Sequence, residues 1–237
     1  MAKQEAPGVW QLAEGRLTMP VRIRRASLLG AAYLCSAERA AELLVGTRLR
    51  PVSFRGRAVS TVLAVVYSDG DLGVYDEVGV GLLVRGPDRT LGMHQVHLPV
   101  NATFTMEAGR DIWGLPKWMA DIDIAVERPL AKVRVADGGE HALTVSVPVP
   151  RFPAPVPFAV PIRTWGINPN DVNGELFRAP IRIRLRGLRV GSGRANVLTG
   201  THSMGRAAAE LGVGSRPLMV MYSPHVSIVL GESKSYA

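Results

Sequence analysis

From Ala26 onward the chain alternates short runs of apolar and β-branched residues with clusters of turn residues. AVSTVLAVVY (58–67) and EVGVGLLVR (77–85) flank the turn cluster SDGDLG (68–73), a pattern of strands joined through a tight connection. HQVHLPV, DIDIAVE, AKVRVA, ALTVSVPV, IRIRLRGLRV and VSIVL continue it as far as Leu230, and Ala26–Leu34 reads as one more buried strand. Many short strands in succession predict a large antiparallel sheet or barrel, and no alternation of helix and strand supports a doubly wound sheet. Two segments carry helical signals. In SAERAAELLVG (36–46), Ser36 can cap the first turn, Glu38 suits the positive end, and Gly46 can close the helix in a left-handed turn. MGRAAAELG (204–212) has Thr201 or Ser203 near its start and Gly212 at its end. PVPRFPAPVPFAVP (148–161) holds six prolines and is expected to be an extended connection or an edge segment, because proline lacks the ladder donor. The expected fold class is therefore α+β, mainly antiparallel β. One domain is expected over residues 20–237, behind a loose N-terminal extension of residues 1–19.

Composition narrows the function classes. A chain of 237 residues with 47% hydrophobic content can bury a sizeable core, and 20% charged residues argue against general disorder. The net charge of +8 favours anionic partners. It does not extend to nucleic acid, because there is no basic block, no zinc-finger spacing and no RNP-type aromatic motif. The single cysteine, Cys35, allows no internal disulfide and fits a reducing cytoplasm. RRASLLGAAYLC has the residue order of a signal peptide, but it begins more than 20 residues into the chain and its apolar run is short. No apolar stretch approaches the length of a membrane span, so no membrane role is expected.

Most candidate chemistry is weak. His94 and His97 stand three apart in a strand pattern, where they point to opposite faces. His141, His202 and His225 are isolated, and neither an HExxH motif nor paired cysteines appear, so no metal site is expected. GSGRAN (191–196) lacks the lysine of a phosphate loop and reads as a turn, and no GxSxG is present. Arg182, Arg184 and Arg186 alternate with apolar residues and read as a solvated sheet face. Lys117 is different. It is one of four lysines among 28 basic residues, and it stands among Ile112, Trp113, Leu115, Pro116, Trp118 and Met119. Two readings are open for it: a lysine whose stem lies on apolar residues with the amine in water, or a desolvated amine able to attack a carbonyl as a Schiff-base nucleophile.

The words around Lys117 favour the second reading. GRDIWGLPKWMADI (109–122) resembles the Gly-Arg-Glu…Gly-Phe-Pro-Lys-Lys signature of the acetoacetate decarboxylase family. Forty residues upstream, LGVYDEVGVGLLV (72–84) resembles that family's Tyr-x-Glu strand. YLCSAERAAELL (33–44) sits where the family carries a helix before its first long strands, and the resemblance covers roughly residues 20–125. It implies a cone-like antiparallel β-barrel with a few helices outside, a small keto acid as substrate, no added cofactor and a homo-oligomeric assembly. It places Lys117 as the Schiff-base lysine and Glu77 as an active-site carboxylate. Arg110 takes a structural or orienting role, and Arg25 is the arginine available for a substrate carboxylate. Tyr75 lies on the same strand face as Glu77, and Trp113, Leu115 and Trp118 are the apolar side chains expected to meet the substrate. The chain departs from the family in two places. Trp118 stands where its decarboxylases carry a second lysine, and no acidic residue stands near Val62. Decarboxylation of a β-keto acid is the implied default. Relatives with part of the set missing resemble aldolase-dehydratases acting on a pyruvate-like keto acid and an aldehyde. A non-catalytic small-molecule binding barrel is the reading from another class.

Overall fold

Seven long strands run around a closed barrel in the order in which they occur in the chain. They are β1 (Val21–Ser36), β2 (Arg57–Gly70), β3 (Tyr75–Arg85), β4 (Leu91–Val100), β5 (Phe158–Ile167), β6 (Leu176–Arg186) and β7 (Met219–Leu230). Successive strands pair antiparallel, except that β4 meets β5 in parallel at Met93 and His94, and β7 closes the ring on β1. The computed structural model describes residues 2–127, 129–154, 158–169 and 174–236. Three helices lie among these strands in the described residues: α1 (Ala37–Glu42), α2 (Thr103–Trp113) and α3 (Ser203–Glu210).

The period-two pattern decides which side chain faces where. In β2, Leu63, Val65 and Tyr67 point into the barrel, whereas Val62 and Ala64 point outward. In β3, Tyr75, Glu77 and Gly79 face in, and Val78, Val80, Leu82 and Val84 face out. The outward row is also buried, because an antiparallel sheet of Asp121–Glu127, Leu130–Asp137, Glu140–Pro148 and Asn196–Thr199 covers it with Val133, Val135, Leu143 and Val145. A wall buried on both faces explains why the β3 segment reads as a continuous apolar run rather than an alternating one. Each fully buried valine or leucine contributes about 1.5–3 kcal/mol, so the outer layer fixes the strands that carry the interior groups. On the far side of the barrel β6 has only one dry face. Ile181 and Ile183 line the interior, and Arg182, Arg184 and Arg186 are exposed, as the alternation predicts.

Three expectations change. Residues 1–19 contain a three-stranded antiparallel sheet (Lys3–Ala6, Val9–Leu12, Gly15–Thr18) rather than a loose extension. Its runs are too short to announce themselves, but Leu12 and Leu17 are buried in the interior cluster and Trp10 Nε1 donates to Glu232. The proline-rich segment is more than a connection. Part of it lies outside the described residues, but Phe158–Pro161 opens β5. β5 pairs with β6 along its length and with β4 only at Thr164 and Trp165, so Pro161 sits beside an open edge where a missing donor costs little. Helix α2 carries no conventional N-cap signal, since Ala102 occupies that position without a side-chain bond. In the other two helices the caps are Ser36, which accepts from Arg39 N, and His202 in place of Thr201 or Ser203.

No helix among the described residues is long and apolar enough to cross a membrane. No group of three or more His, Cys, Asp or Glu side chains among them could hold a metal ion.

The outer layer contains a titrating group. His97 of β4 faces Trp118 and His202, with ring centroids 6.5 and 6.4 Å away. Burial, with a smaller push from His202, lowers its pKa from 6.5 to about 4. Burial also lowers that of His94, whose Nδ1 lies 3.0 Å from the Trp165 carbonyl. Both rings are neutral in the folded protein at pH 7, whereas the unfolded chain takes up protons near 6.5. Their contribution is therefore complete above about pH 6.5 and is lost as pH falls below it, for His97 until about pH 4, at up to about 1.4 kcal/mol per pH unit for each group. Urea unfolding between pH 7 and 4.5 should show a falling midpoint, and His97→Asn should flatten the slope. Parallel slopes for the two proteins would show that His97 carries none of it.

Candidate active site

The segment that delivers Lys117 is built from close approaches. Helix α2 buries Thr105, Ala108, Gly109, Ile112 and Trp113, one apolar stripe at helical spacing. It ends at Gly114, whose φ of 63° is a left-handed conformation that favours glycine. The Gly114 and Leu115 N–H groups satisfy the Arg110 and Gly109 carbonyls. Lys117–Met119 then forms a short strand parallel to β4, with Lys117 beside Leu98. A Cβ on Gly109 would lie 2.4 Å from Lys117 Cδ, so only glycine leaves room for the lysine stem. Arg110 Nε donates to the Lys117 carbonyl and ties the helix to the strand. The Gly-Arg…Gly-x-Pro-Lys string is thus a single device for pressing a lysine into the barrel.

Inside, Lys117 is 3% exposed. Its Nζ lies 2.8 Å from Glu77 Oε2 and donates to Thr105 Oγ1 at 2.7 Å. Tyr67 OH donates to the other carboxylate oxygen, Oε1, at 3.0 Å. Tyr67 and Tyr75 are cross-strand partners whose rings stack at 4.2 Å, and the amine stands 5.2 Å from the Tyr75 ring centroid. Burial, and then the charge of Glu77, raises both phenols well above their usual value, so they stay protonated and Tyr67 remains a donor. A buried ion pair is tolerable only when hydrogen bonds satisfy what the pair leaves over. Thr105 and Tyr67 supply those bonds.

The pair opens on a cavity of about 160 Å³ with mostly aliphatic walls. Val21, Ile23, Leu28, Leu63, Val65 and Leu98 are among the side chains facing it, and Gln95 and Thr164 add polar groups. The arrangement offers a nucleophilic nitrogen, a carboxylate that can take and return its proton, and a dry space for a carbon skeleton.

The residues singled out from the sequence divide cleanly. Lys117, Glu77, Tyr75, Trp113 and Leu115 line the cavity together, and Trp113 Nε1 is held by the Gly231 carbonyl at 2.9 Å. Arg110 acts on the backbone, as an orienting residue would. Trp118 does not face the cavity. Strand alternation turns it to the outer layer, where its ring lies 4.9 Å from that of His202. A lysine at position 118 would point the same way, away from the Lys117 amine. Arg25 is exposed and lies outside the cavity wall, because a register irregularity at Arg24–Arg25 breaks the alternation of β1 there. Arg163 of β5 borders the cavity between the inward-facing Ile162 and Thr164, but it is exposed and shares a strand face with Trp165 of the outer cluster, so its side chain points away. Val62 faces the outer layer, so an acidic residue there would not meet the amine. Thr105, Tyr67 and Gln95 escaped the sequence reading. Thr105 stands four residues before Gly109, a legible signal once α2 is read as a helix. Tyr67 follows from pairing the strands on either side of SDGDLG.

The acetoacetate decarboxylase (ADC) family model matches residues 12–229, and the chain belongs to that family. No curated protein matches the chain in sequence. Among solved structures it is similar to the acetoacetate decarboxylase of Legionella pneumophila, with a TM-score of 0.75 and 15% identity over 92% of this chain and 87% of that one. It is also similar to an acetoacetate decarboxylase-like enzyme from Sphingomonas wittichii RW1, with a TM-score of 0.64 and 16% identity over 92% and 93% of the two chains. A third is the enduracididine biosynthesis enzyme MppR in complex with the condensation product of pyruvate and imidazole 4-carboxaldehyde, with a TM-score of 0.62 and 17% identity over 92% and 88%. At these identities the likeness establishes the fold.

The close approach at Gly109 is testable by itself. Gly109→Ala should leave the barrel folded by circular dichroism but displace the lysine stem. Carbonyl adduct formation should fall roughly 100-fold, the scale expected for an ångström of misplacement. An alanine variant with unchanged adduct formation would show that the contact positions nothing.

Proposed function

We propose that this protein is a Schiff-base-forming lyase acting on a keto acid through Lys117, with decarboxylation of a β-keto acid as its reaction. One observation carries the reading: a buried amine within 2.8 Å of a carboxylate, at the wall of an apolar cavity. Lys117 passes a proton to Glu77, and the neutral amine adds to the carbonyl carbon of the substrate. Glu77 returns the proton as water leaves, and an iminium remains. The bond to the carboxylate carbon then breaks, its electron pair moves into the iminium, and carbon dioxide departs. The resulting enamine takes a proton on carbon from water, relayed through the Glu77 carboxylate. Water hydrolyses the imine and restores the lysine. The aliphatic walls suit this step, because a carboxylate that becomes carbon dioxide loses its charge and a dry site penalises the starting charge most.

A second reading draws on the likeness to MppR, whose complex holds a condensation product of pyruvate and an aldehyde. On that reading the substrate is a pyruvate-like keto acid. Its iminium loses a proton from the methyl carbon to Glu77, the enamine so formed attacks an aldehyde carbon, the new oxygen takes that proton, and loss of water follows.

Carbon dioxide release from β-keto acids, and product formation from pyruvate with an aldehyde, separate the two. Lys117→Arg should abolish either reaction without unfolding the protein, because a guanidinium stays protonated. Glu77→Gln should still form the adduct but slow turnover by roughly 100-fold or more, the usual contribution of a positioned acid–base group. Turnover retained by Lys117→Arg would end the Schiff-base reading, and a protein inert to every keto acid would favour a binding barrel.

A further inference from the structure

Gln95 has no role in the mechanism above, yet it is 8% exposed, lines the same cavity, and its Oε1 is buried without a hydrogen-bond partner among the described residues. An unpaired buried amide oxygen is costly, and the apolar interior around it offers no remedy. The sequence has nevertheless made room for it. Glu77, Gly79 and Gly81 follow one another along a single face of β3, and Gln95 is the β4 partner of Gly81. A Cβ on Gly79 or Gly81 would lie 2.7 or 2.6 Å from Gln95 Oε1, so the two glycines form a bare floor on which the amide lies. Gly79 is two residues beyond Glu77, about 7 Å along the strand. A glutamine kept without a partner over the strand face that also carries Glu77 is placed to meet something that enters the cavity.

From this geometry we infer that Gln95 is a specificity-determining residue, and that the substrate is a keto acid with an uncharged hydrogen-bonding group, such as a hydroxyl, on the chain beyond the reacting carbonyl. The inference rests on the Schiff-base reading of Lys117 and deepens it. With its carbonyl carbon on Lys117 Nζ, such a molecule lays its chain over Gly79 and presents its oxygen to the amide. A primary amide offers both a donor and an acceptor, so a hydroxyl satisfies it in either orientation. The group is uncharged because Gln95 carries no charge and the walls around it are aliphatic. Acetoacetate, with only a methyl group on that side of its carbonyl, leaves the amide unpaired.

Three acids test this: acetoacetate, 5-hydroxy-3-oxohexanoate, and 5-methyl-3-oxohexanoate, in which a methyl group replaces the hydroxyl. The wild type should prefer the hydroxylated acid over its methyl counterpart by roughly tenfold or more in kcat/KM, since a site built to bond a hydroxyl rejects the analogue that lacks it. Gln95→Leu should lose at least that factor on the hydroxylated acid, leave the methyl acid undiminished, and unfold at no lower temperature than the wild type. Gln95→Met, closer in shape, repeats the measurement if the leucine variant does not fold. A preference unchanged by either variant would overturn the inference, and so would a failure of both to fold, which would make Gln95 a structural residue. These failures are distinct from failure of the Schiff-base reading, in which none of the three acids reacts and none forms an adduct at Lys117.

Discussion

Two opposite charges taken out of water impose the conditions that the rest of the structure meets. Lys117 and Glu77 are each other's counter-ion at 2.8 Å, in a barrel whose other interior residues are largely aliphatic. Removing one partner of such a pair typically costs about 3–5 kcal/mol, because the survivor is left charged and alone. The pair therefore needs fixed geometry and bonded surroundings. Thr105 and Tyr67 bond one member each, and the stacked Tyr67 and Tyr75 rings occupy the space beside them. The same demand explains the closed barrel, since an open sheet would admit water and dissolve the pair into two solvated side chains.

Precision at the amine is achieved by backbone devices more than by side-chain contacts. Gly109 admits the lysine stem, Gly114 turns the chain through a left-handed conformation, and Arg110 clamps the lysine's own carbonyl. Behind them β3 is held from outside by the second sheet, so the strand bearing Glu77 is packed on both faces. The interior gives up some stability in exchange. An ion pair, an unpaired glutamine and an open cavity are all features that a protein selected only for stability would fill with hydrocarbon.

Much of this is legible in the sequence, for physical reasons that also mark where legibility stops. β-Branched and apolar runs between turn clusters mark β2, β3 and β4, and period-two alternation marks β6 with its outward row of arginines, because local sterics dictate that period. The signature around Lys117 was readable because each of its residues answers a local geometric need. The N-terminal sheet and β5 were not, since their runs are short or interrupted by proline and their pairing is settled by distant strands. Arg25 misled because a register irregularity flips the alternation, which no local pattern reveals. Trp118 misled for a simpler reason: adjacency in sequence was taken for adjacency in space, although neighbours in a strand face opposite ways. Tyr67 and Gln95 reach the cavity, and Thr105 the lysine amine, from three different elements, and their convergence exists only in the fold.

The central claim is that the Lys117 amine, and no other, bonds covalently to the substrate carbonyl. Borohydride reduction of the protein incubated with keto acids, followed by peptide mass mapping, tests it most directly. The account predicts a substrate-derived mass increment on the peptide containing Lys117 and none on those containing Lys3, Lys132 or Lys234. An increment on another lysine, or none with any keto acid that the protein turns over, would contradict it.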